Sequence, residues 1–325
     1  MPLKAIQKAI QKAIRKASEV YLNSIYEFEK MFNKIEGLKV ALDQSMSLHT
    51  TFKVGGPADI LVIPNSEQAF ISALNICKLE NIPVFVMGNG SNLLVRDKGI
   101  RGVVIKLAGG LNEIKIDGNI LTAQAGALLS KLAKFAAKHA LSGLEFAEGI
   151  PGTVGGAVAM NAGAYNGEMK NVVQKSICIN SNGIIKELNN EEHEFGYRKS
   201  VIKTQGLYVV KIELALNPLE YDIIVEKMKE FSKLRTEKQP LNYPSAGSTF
   251  KRPQGYYAGK LIEECGLKGC NVGGAQVSTK HSGFIVNSGG AKAEDVIQLI
   301  CLIQDRVMIE KGVKMETEIM IIGEN

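Results

Sequence analysis

Two glycine-rich runs dominate the chemistry open to this chain. The first is Gly88-Asn89-Gly90-Ser91-Asn92-Leu93, and the second is Gly149-Ile150-Pro151-Gly152-Thr153-Val154-Gly155-Gly156-Ala157. Successive backbone N–H groups in such runs can face a diphosphate, and glycine lets the chain approach it without a Cβ. The first run is not a Rossmann fingerprint, because Leu93 stands at the third glycine position and no helix clearly follows. A lone glycine pair is usually a bend or a close helix contact. The density of the second run, continued by Asn161 and Tyr165, favours backbone wrapped around a flat ligand, and two such runs in one lobe point to a dinucleotide. A third constellation, Tyr243-Pro244-Ser245-Ala246-Gly247-Ser248, leads into Lys251 and Arg252. Its residues are turn formers, and no Ser-His-Asp arrangement is evident from local spacing. A hydroxyl there could deliver a proton to a carbon centre, although spacing alone favours a structural loop.

Metal chemistry is not expected. The five cysteines are odd in number and scattered, and four residues separate Cys265 from Cys270. This argues against both a disulfide framework and a zinc site. The histidines, His49, His139, His193 and His281, show no ligand spacing either.

At 325 residues the chain suits two or three lobes, and 45% hydrophobic with 22% charged residues is ordinary for a globular protein. No apolar run reaches bilayer length, and residues 1–18 lack the apolar core of a secretory signal, so a cytoplasmic location is expected. The net charge of +6 suits anionic small ligands. With no aromatic RNA-binding signature and no zinc finger, no nucleic-acid partner is expected. Part of the excess sits in Lys4, Lys8, Lys12, Arg15 and Lys16, beside Ile6, Ile10 and Ile14 at helical spacing. This basic amphipathic helix reads as a solvated extension, or as a weak surface contact with anionic lipid or a partner. Alanine on its apolar face is a poor membrane anchor, which favours the former.

The elements that must position these runs alternate. Strands are expected over 58–63, 83–87 and 101–107, with a helix over 66–81. Hairpins are expected at Asp117-Gly118 and Asn182-Gly183, with a helix over 127–141 between them and a strand over 207–216 after them. Beyond these lie a strong helix over 221–238, broken by Pro240, and helices over 258–265 and 293–310. Strands are expected over 284–287 and 316–322. The order implies an α+β fold with a further lobe beginning near residue 220.

Taken together, the segments resemble the UDP-N-acetylenolpyruvoylglucosamine reductase family. The resemblance runs from Leu48 to Gly323. It is carried by His49-Thr-Thr-Phe-Lys-Val-Gly-Gly56, both glycine runs, Met160-Asn-Ala-Gly-Ala-Tyr165 and Gly196-Tyr-Arg-Lys-Ser200. Pro244-Ser-Ala-Gly-Ser-Thr-Phe-Lys251, Gly273-Gly-Ala-Gln-Val-Ser278, Glu316-Thr-Glu-Ile319 and Ile321-Ile-Gly323 complete it. It implies the FAD-binding fold of the vanillyl-alcohol-oxidase (PCMH) type with a C-terminal α+β substrate-binding domain. The implied division is a helical extension at 1–36, FAD-binding subdomains at 37–108 and 109–219, and a substrate domain at 220–325. The short segment between Tyr197 and the following strand is similar to the type II form, which lacks an extra tyrosine-bearing loop.

The implied reaction reduces UDP-N-acetylglucosamine enolpyruvate to UDP-N-acetylmuramate for peptidoglycan, with FAD as cofactor and NADPH as co-substrate. The resemblance implies that Thr51, Gly88, Asn89, Gly90, Ser91, Asn92 and Leu93 hold FAD, together with Ile150, Pro151, Gly152, Thr153, Gly155, Gly156 and Ala157. Arg198 is implied at the substrate carboxylate, Ser248 as the proton donor to C2, and Glu318 as the catalytic carboxyl group, protonated or sharing a proton during the step. Glu316, two residues away, shares the strand face by period and is a structural rival. Tyr197, Lys238, Lys251, Arg252 and His281 are implied substrate-side residues, with Lys251 or Lys238 polarising Ser248. Arg252, Met320 and His281 stand where many relatives carry Asn, Arg and Gln; His281 is usual for the type II form. A same-fold oxidase using oxygen is the rival reading. Such enzymes often tether flavin through His or Cys, and neither glycine run contains one.

Overall fold

The computed structural model describes residues 21–325, so the helix expected over residues 1–18 lies outside the described residues. A helix over 21–32 (α1) leads into the first sheet. Its strands are β1 (Leu38–Ser45), β2 (Pro57–Pro64), β3 (Val84–Met87) and, after a short strand β4 (Leu93–Val95), β5 (Ile100–Lys106). The order is β1-β2-β5-β3, with β1 antiparallel and the other pairs parallel. Ile60, Leu61 and Val62 of β2 and Val103, Val104 and Ile105 of β5 are buried consecutively, as expected for strands covered on both faces. One cover is α2 (Glu67–Leu79). Its N-cap Ser66 accepts from the Ala69 N–H at 3.1 Å, and Phe70, Ala73, Leu74 and Cys77 face the sheet.

The second sheet is antiparallel throughout. It comprises β6 (Ile114–Asp117), β7 (Ile120–Gln124), β8 (Val173–Asn180), β9 (Ile185–Asn189) and β10 (Leu207–Ala215), in the order β9-β8-β10-β7-β6. Both expected hairpin turns are present, with Gly118 and Gly183 at φ +57° and +76°, where a side chain would be strained. Between β7 and β8 run α3 (Leu129–Lys138) and α4 (Val154–Ala159); α5 (Val201–Thr204) precedes β10. Residues of both sheets share one apolar core, including Ile60, Phe70, Ile105, Leu121, Leu129 and Ile212.

The long helix α6 (Tyr221–Lys238) buries Ile224 and Met228 in that same core. The third lobe then forms from α7 (Ala258–Glu264), the antiparallel strands β11 (Asn271–Val272), β12 (Ala275–Val277) and β13 (Ile285–Asn287), and α8 (Ala293–Lys311). Its core also takes in Phe52, Val54 and Leu94 from the first lobe. Regular pairing of the last strand, β14 (Met320–Ile322), covers less than the expected 316–322. Thr317 pairs with Phe250, whereas Met320–Ile322 run parallel to β4, so the chain changes partner and bends between them.

Candidate active site

β3 delivers the first glycine run to the mouth between the two sheets, and the second run meets it there. The Asn89 side-chain amide donates to the Pro151 carbonyl at 2.7 Å. A Cβ on Gly88 would collide with Thr153 Oγ1, and one on Gly90, at φ +67°, would collide with the His49 carbonyl. Thr153, itself buried, caps α4 by accepting from the Gly156 N–H at 3.4 Å. Thr51 ties the runs to the third lobe: its N–H donates to Gly90 at 3.3 Å, and its hydroxyl donates to the Ser245 carbonyl at 2.7 Å.

Among the described residues, the backbone N–H groups of Asn89, Gly90, Ser91 and Asn92 find no acceptor in the protein. Close by, Lys106 ends β5 with its Nζ 3.3 Å from His49 Nδ1, while His49 Nε2 is buried without a partner. Burial, then the Lys106 charge, holds His49 below the usual histidine range, and burial likewise lowers Lys106. Unpaired N–H donors, backbone with no room for side chains and a nearby cation fit the diphosphate of a dinucleotide. The residues that would hold FAD there are Thr51, Gly88 through Leu93, Ile150 through Thr153 and Gly155 through Ala157. The Leu93 and Ala157 side chains are buried in the cores, which leaves their backbone for the ligand.

The same run leads to the polar cluster around Glu318. Asn92 accepts from the Met320 N–H at 2.9 Å, and its side-chain amide donates to the Glu318 carbonyl at 3.1 Å. The Glu318 N–H donates to the Thr249 carbonyl at 2.8 Å, next to Ser248. The bend before β14 therefore turns Glu318 inward. Glu316 stays outside, pairing with Lys251 at 3.1 Å where both are well exposed.

Arg198 reaches Glu318 from the opposite side. Gly196 and Lys199 exchange backbone hydrogen bonds and close a tight turn, with Arg198 near its tip at φ +53°. Arg198 Nε donates to Glu318 Oε1 at 2.6 Å, a charge-assisted bond roughly twice as strong as a neutral one. Among the described residues neither Nη group has an acceptor, and the Ser248 hydroxyl has no hydrogen-bond partner. The arrangement thus offers a fixed guanidinium edge, a carboxyl group orienting it and a free hydroxyl on the neighbouring segment.

Around this cluster, the exposed Tyr197 ring lies 5.2 Å from Arg198 Cζ, and its hydroxyl accepts from the Arg252 N–H at 3.2 Å. Arg252 lies over the Tyr257 ring at 4.0 Å, a cation–π contact. His281 Nδ1 accepts from the Gly283 N–H at 3.1 Å, and the Gly283 carbonyl receives the Thr249 N–H. Burial lowers the His281 pKa. Lys238 ends α6 and is not tied to the cluster by any hydrogen bond or ion pair among the described residues. A polar cleft of about 700 Å³ lies between the end of α6 and the third lobe, lined by Thr236, Pro240, Tyr243, Gln276, Ser278 and Lys280. Sequence reasoning missed Lys106, Lys280 and Thr249. Lys106 had a legible signal, a cation closing an apolar strand; the other two matter only through contacts made across the fold.

Residues 239–322 match the family described as UDP-N-acetylenolpyruvoylglucosamine reductase, C-terminal domain, and residues 58–189 match the FAD binding domain family. The UDP-N-acetylenolpyruvoylglucosamine reductase of Alkaliphilus oremlandii is 54% identical over 88% of this chain and 94% of its own length. That of Clostridioides difficile is 50% identical over 94% and 99%. The crystal structure of the Thermus caldophilus enzyme of that name superposes with a TM-score of 0.75 at 37% identity, covering 88% of this chain and 99% of that one. The α+β FAD-binding fold of the vanillyl-alcohol-oxidase type, expected from the sequence, is the fold observed.

Proposed function

The chain belongs to the UDP-N-acetylenolpyruvoylglucosamine reductase family, and from that premise we propose that it reduces UDP-N-acetylglucosamine enolpyruvate to UDP-N-acetylmuramate, using FAD and NADPH. The observation that carries the reading is the contact of Arg198 with Glu318 at 2.6 Å, on a segment bonded both to Asn92 of the first glycine run and to the neighbour of Ser248.

When bound, FAD would supply hydride chemistry at the enolpyruvyl group, for which negative charge developing at C2 and in its carboxylate would have to be stabilised. The chain's own residues answer that charge. Arg198 grips the carboxylate with its free Nη edge, while Glu318 on Nε fixes the plane of the guanidinium. A bidentate grip set before reaction stabilises charge as it develops without reorganising at that moment. Ser248 donates its hydroxyl proton to C2 and recovers one from solvent. A hydroxyl is a weak acid in water, so the transfer has to coincide with the build-up of charge on carbon. Tyr197, Arg252 and His281 border the same space and would orient the sugar nucleotide, with Lys238 and Lys251 at its edge. The polar cleft at the end of α6 is suited to the nucleotide portion.

The division of labour follows the chain: 37–108 and 109–219 bind the flavin and 220–325 covers the substrate, while the described part of 1–36 buries Ile25 and Phe32 in the core of the two sheets. Among the described residues no helix is long and apolar enough to cross a membrane. Together with the water-soluble substrates, this supports a cytoplasmic site of action.

The test is the purified protein with NADPH and the enolpyruvyl UDP-sugar, read by mass spectrometry. Consumption of NADPH with a product heavier by two hydrogens is expected. NADPH oxidation with oxygen uptake, indifferent to the sugar nucleotide, would instead establish the oxidase reading.

A further inference from the structure

The turn that carries Arg198 is gripped by buried polar groups at its base. Asn161, 1% exposed, ends the segment that follows α4. Its side-chain amide donates to the Gly196 carbonyl at 3.1 Å and to Glu168 Oε2 at 2.7 Å, and its Oδ1 accepts from the Lys170 N–H at 3.0 Å. Both N–H donors and the oxygen of that amide are engaged: one donor holds the turn, and the other two contacts anchor the side chain to the segment at Glu168 and Lys170. Just upstream, His193 is 0% exposed. Its Nδ1 lies 2.6 Å from the Asn189 carbonyl, which can only accept, so the ring proton is on Nδ1. Nε2 must then accept from the Ser176 hydroxyl at 2.8 Å, and Ser176 in turn lies 3.3 Å from Cys178 Sγ. The His193 ring stacks on Phe195 at 4.7 Å, and Phe195 leads directly into Gly196.

We propose that Asn161 and His193 are positioning residues for the reaction: together they set the Arg198 turn relative to the flavin-binding run. The carboxylate grip needs the guanidinium edge in one place, and Arg198 stands at φ +53°, a strained conformation that the surroundings must enforce. Glu318 holds the tip of the side chain, Asn161 holds the backbone two residues before it, and His193 fixes the short helical turn, Glu191–His193, that leads into it. The proposal rests on the reading of Arg198 as the carboxylate-gripping residue.

The two half-reactions separate this role from a general effect on folding. Reduction of the flavin by NADPH does not use the carboxylate grip, whereas its reoxidation by the enolpyruvyl sugar nucleotide does. The variants are Asn161→Gly, which removes the amide while accepting the φ of +44° at this position, and His193→Ala, with His193→Gln as the conservative control. In stopped-flow measurements, the first two should slow reoxidation by about tenfold to a hundredfold, the range that follows from misplacing a preorganised group. Reduction by NADPH and FAD affinity should stay within about twofold, and His193→Gln should recover most of the loss through its amide on Ser176. Wild-type reoxidation in Asn161→Gly and His193→Ala would overturn the proposal. So would equal slowing of both half-reactions, or loss of flavin from both variants, which would assign these residues to folding. A wild-type protein that the sugar nucleotide does not reoxidise would count against the proposed function itself.

Discussion

At the scale of single residues, what matters is which carboxylate and which cation meet. By strand period Glu316 and Glu318 share a face, but the change of pairing partner between Thr317 and Met320 separates them. One is left on Lys251 at the surface and the other on Arg198 inside. A partner change of this kind depends on two distant segments, 250 and 93–95, and leaves no mark in local spacing. Replacing Arg198 with Ala should lower the rate of flavin reoxidation by about 10²–10³, the usual effect of removing one charge-stabilising donor, with reduction by NADPH unchanged. A parallel loss in both half-reactions, read by stopped-flow absorbance, would remove Arg198 from the chemistry. The histidines give a second test. Burial holds His49, His193 and His281 below the ordinary value of 6.5. In the window beneath that value the unfolded chain therefore binds protons that the folded chain does not, and stability falls as pH drops through it. The melting temperature should decline from about pH 7.5 to about pH 5.5, above the carboxylate range. A melting temperature that is flat or rises would contradict this burial.

At the scale of elements, much was legible where turn chemistry is local. Asp117-Gly118 and Asn182-Gly183 both close hairpins, and Ser66 caps α2 at the expected start. The expected helix over 221–238 has the observed bounds because Pro240 cannot continue it. Several elements were not legible, β1 and α4 among them. β1 is an edge strand, only partly buried, and lacks a clear alternation. α4 contains Gly155 and Gly156, poor helix formers, and exists because Thr153 caps it and Gly155 packs against Ala125. The glycine runs permit close approach of backbone, and part of what they approach is each other. Gly88→Ala should therefore fold but separate the runs, since its Cβ would fall on Thr153 Oγ1. The expected result is at least a tenfold weaker FAD affinity by fluorescence titration, in a protein whose circular dichroism is unchanged. Wild-type affinity would mean that the runs need not touch to bind the cofactor.

At the scale of the whole molecule, the three lobes are interlocked. α6 buries Ile224 and Met228 in the core of the two sheets, while the third lobe encloses Phe52, Val54 and Leu94 of the first. This interlocking brings Arg198 onto Glu318, 120 positions away, on a segment bonded to Thr249, the neighbour of Ser248. Spacing could not show that convergence; the resemblance carried by the ordered motifs implied it, and the geometry supports it through Asn92, Thr249 and the turn at Gly196–Lys199. The most direct test of the central claim is the visible absorbance of the purified protein under anaerobic conditions. It should show oxidised flavin, bleach on adding NADPH, and return to the oxidised spectrum on adding the enolpyruvyl UDP-sugar. A flavin that bleaches but is restored only by oxygen, or a protein that takes up no flavin even after reconstitution, would contradict it.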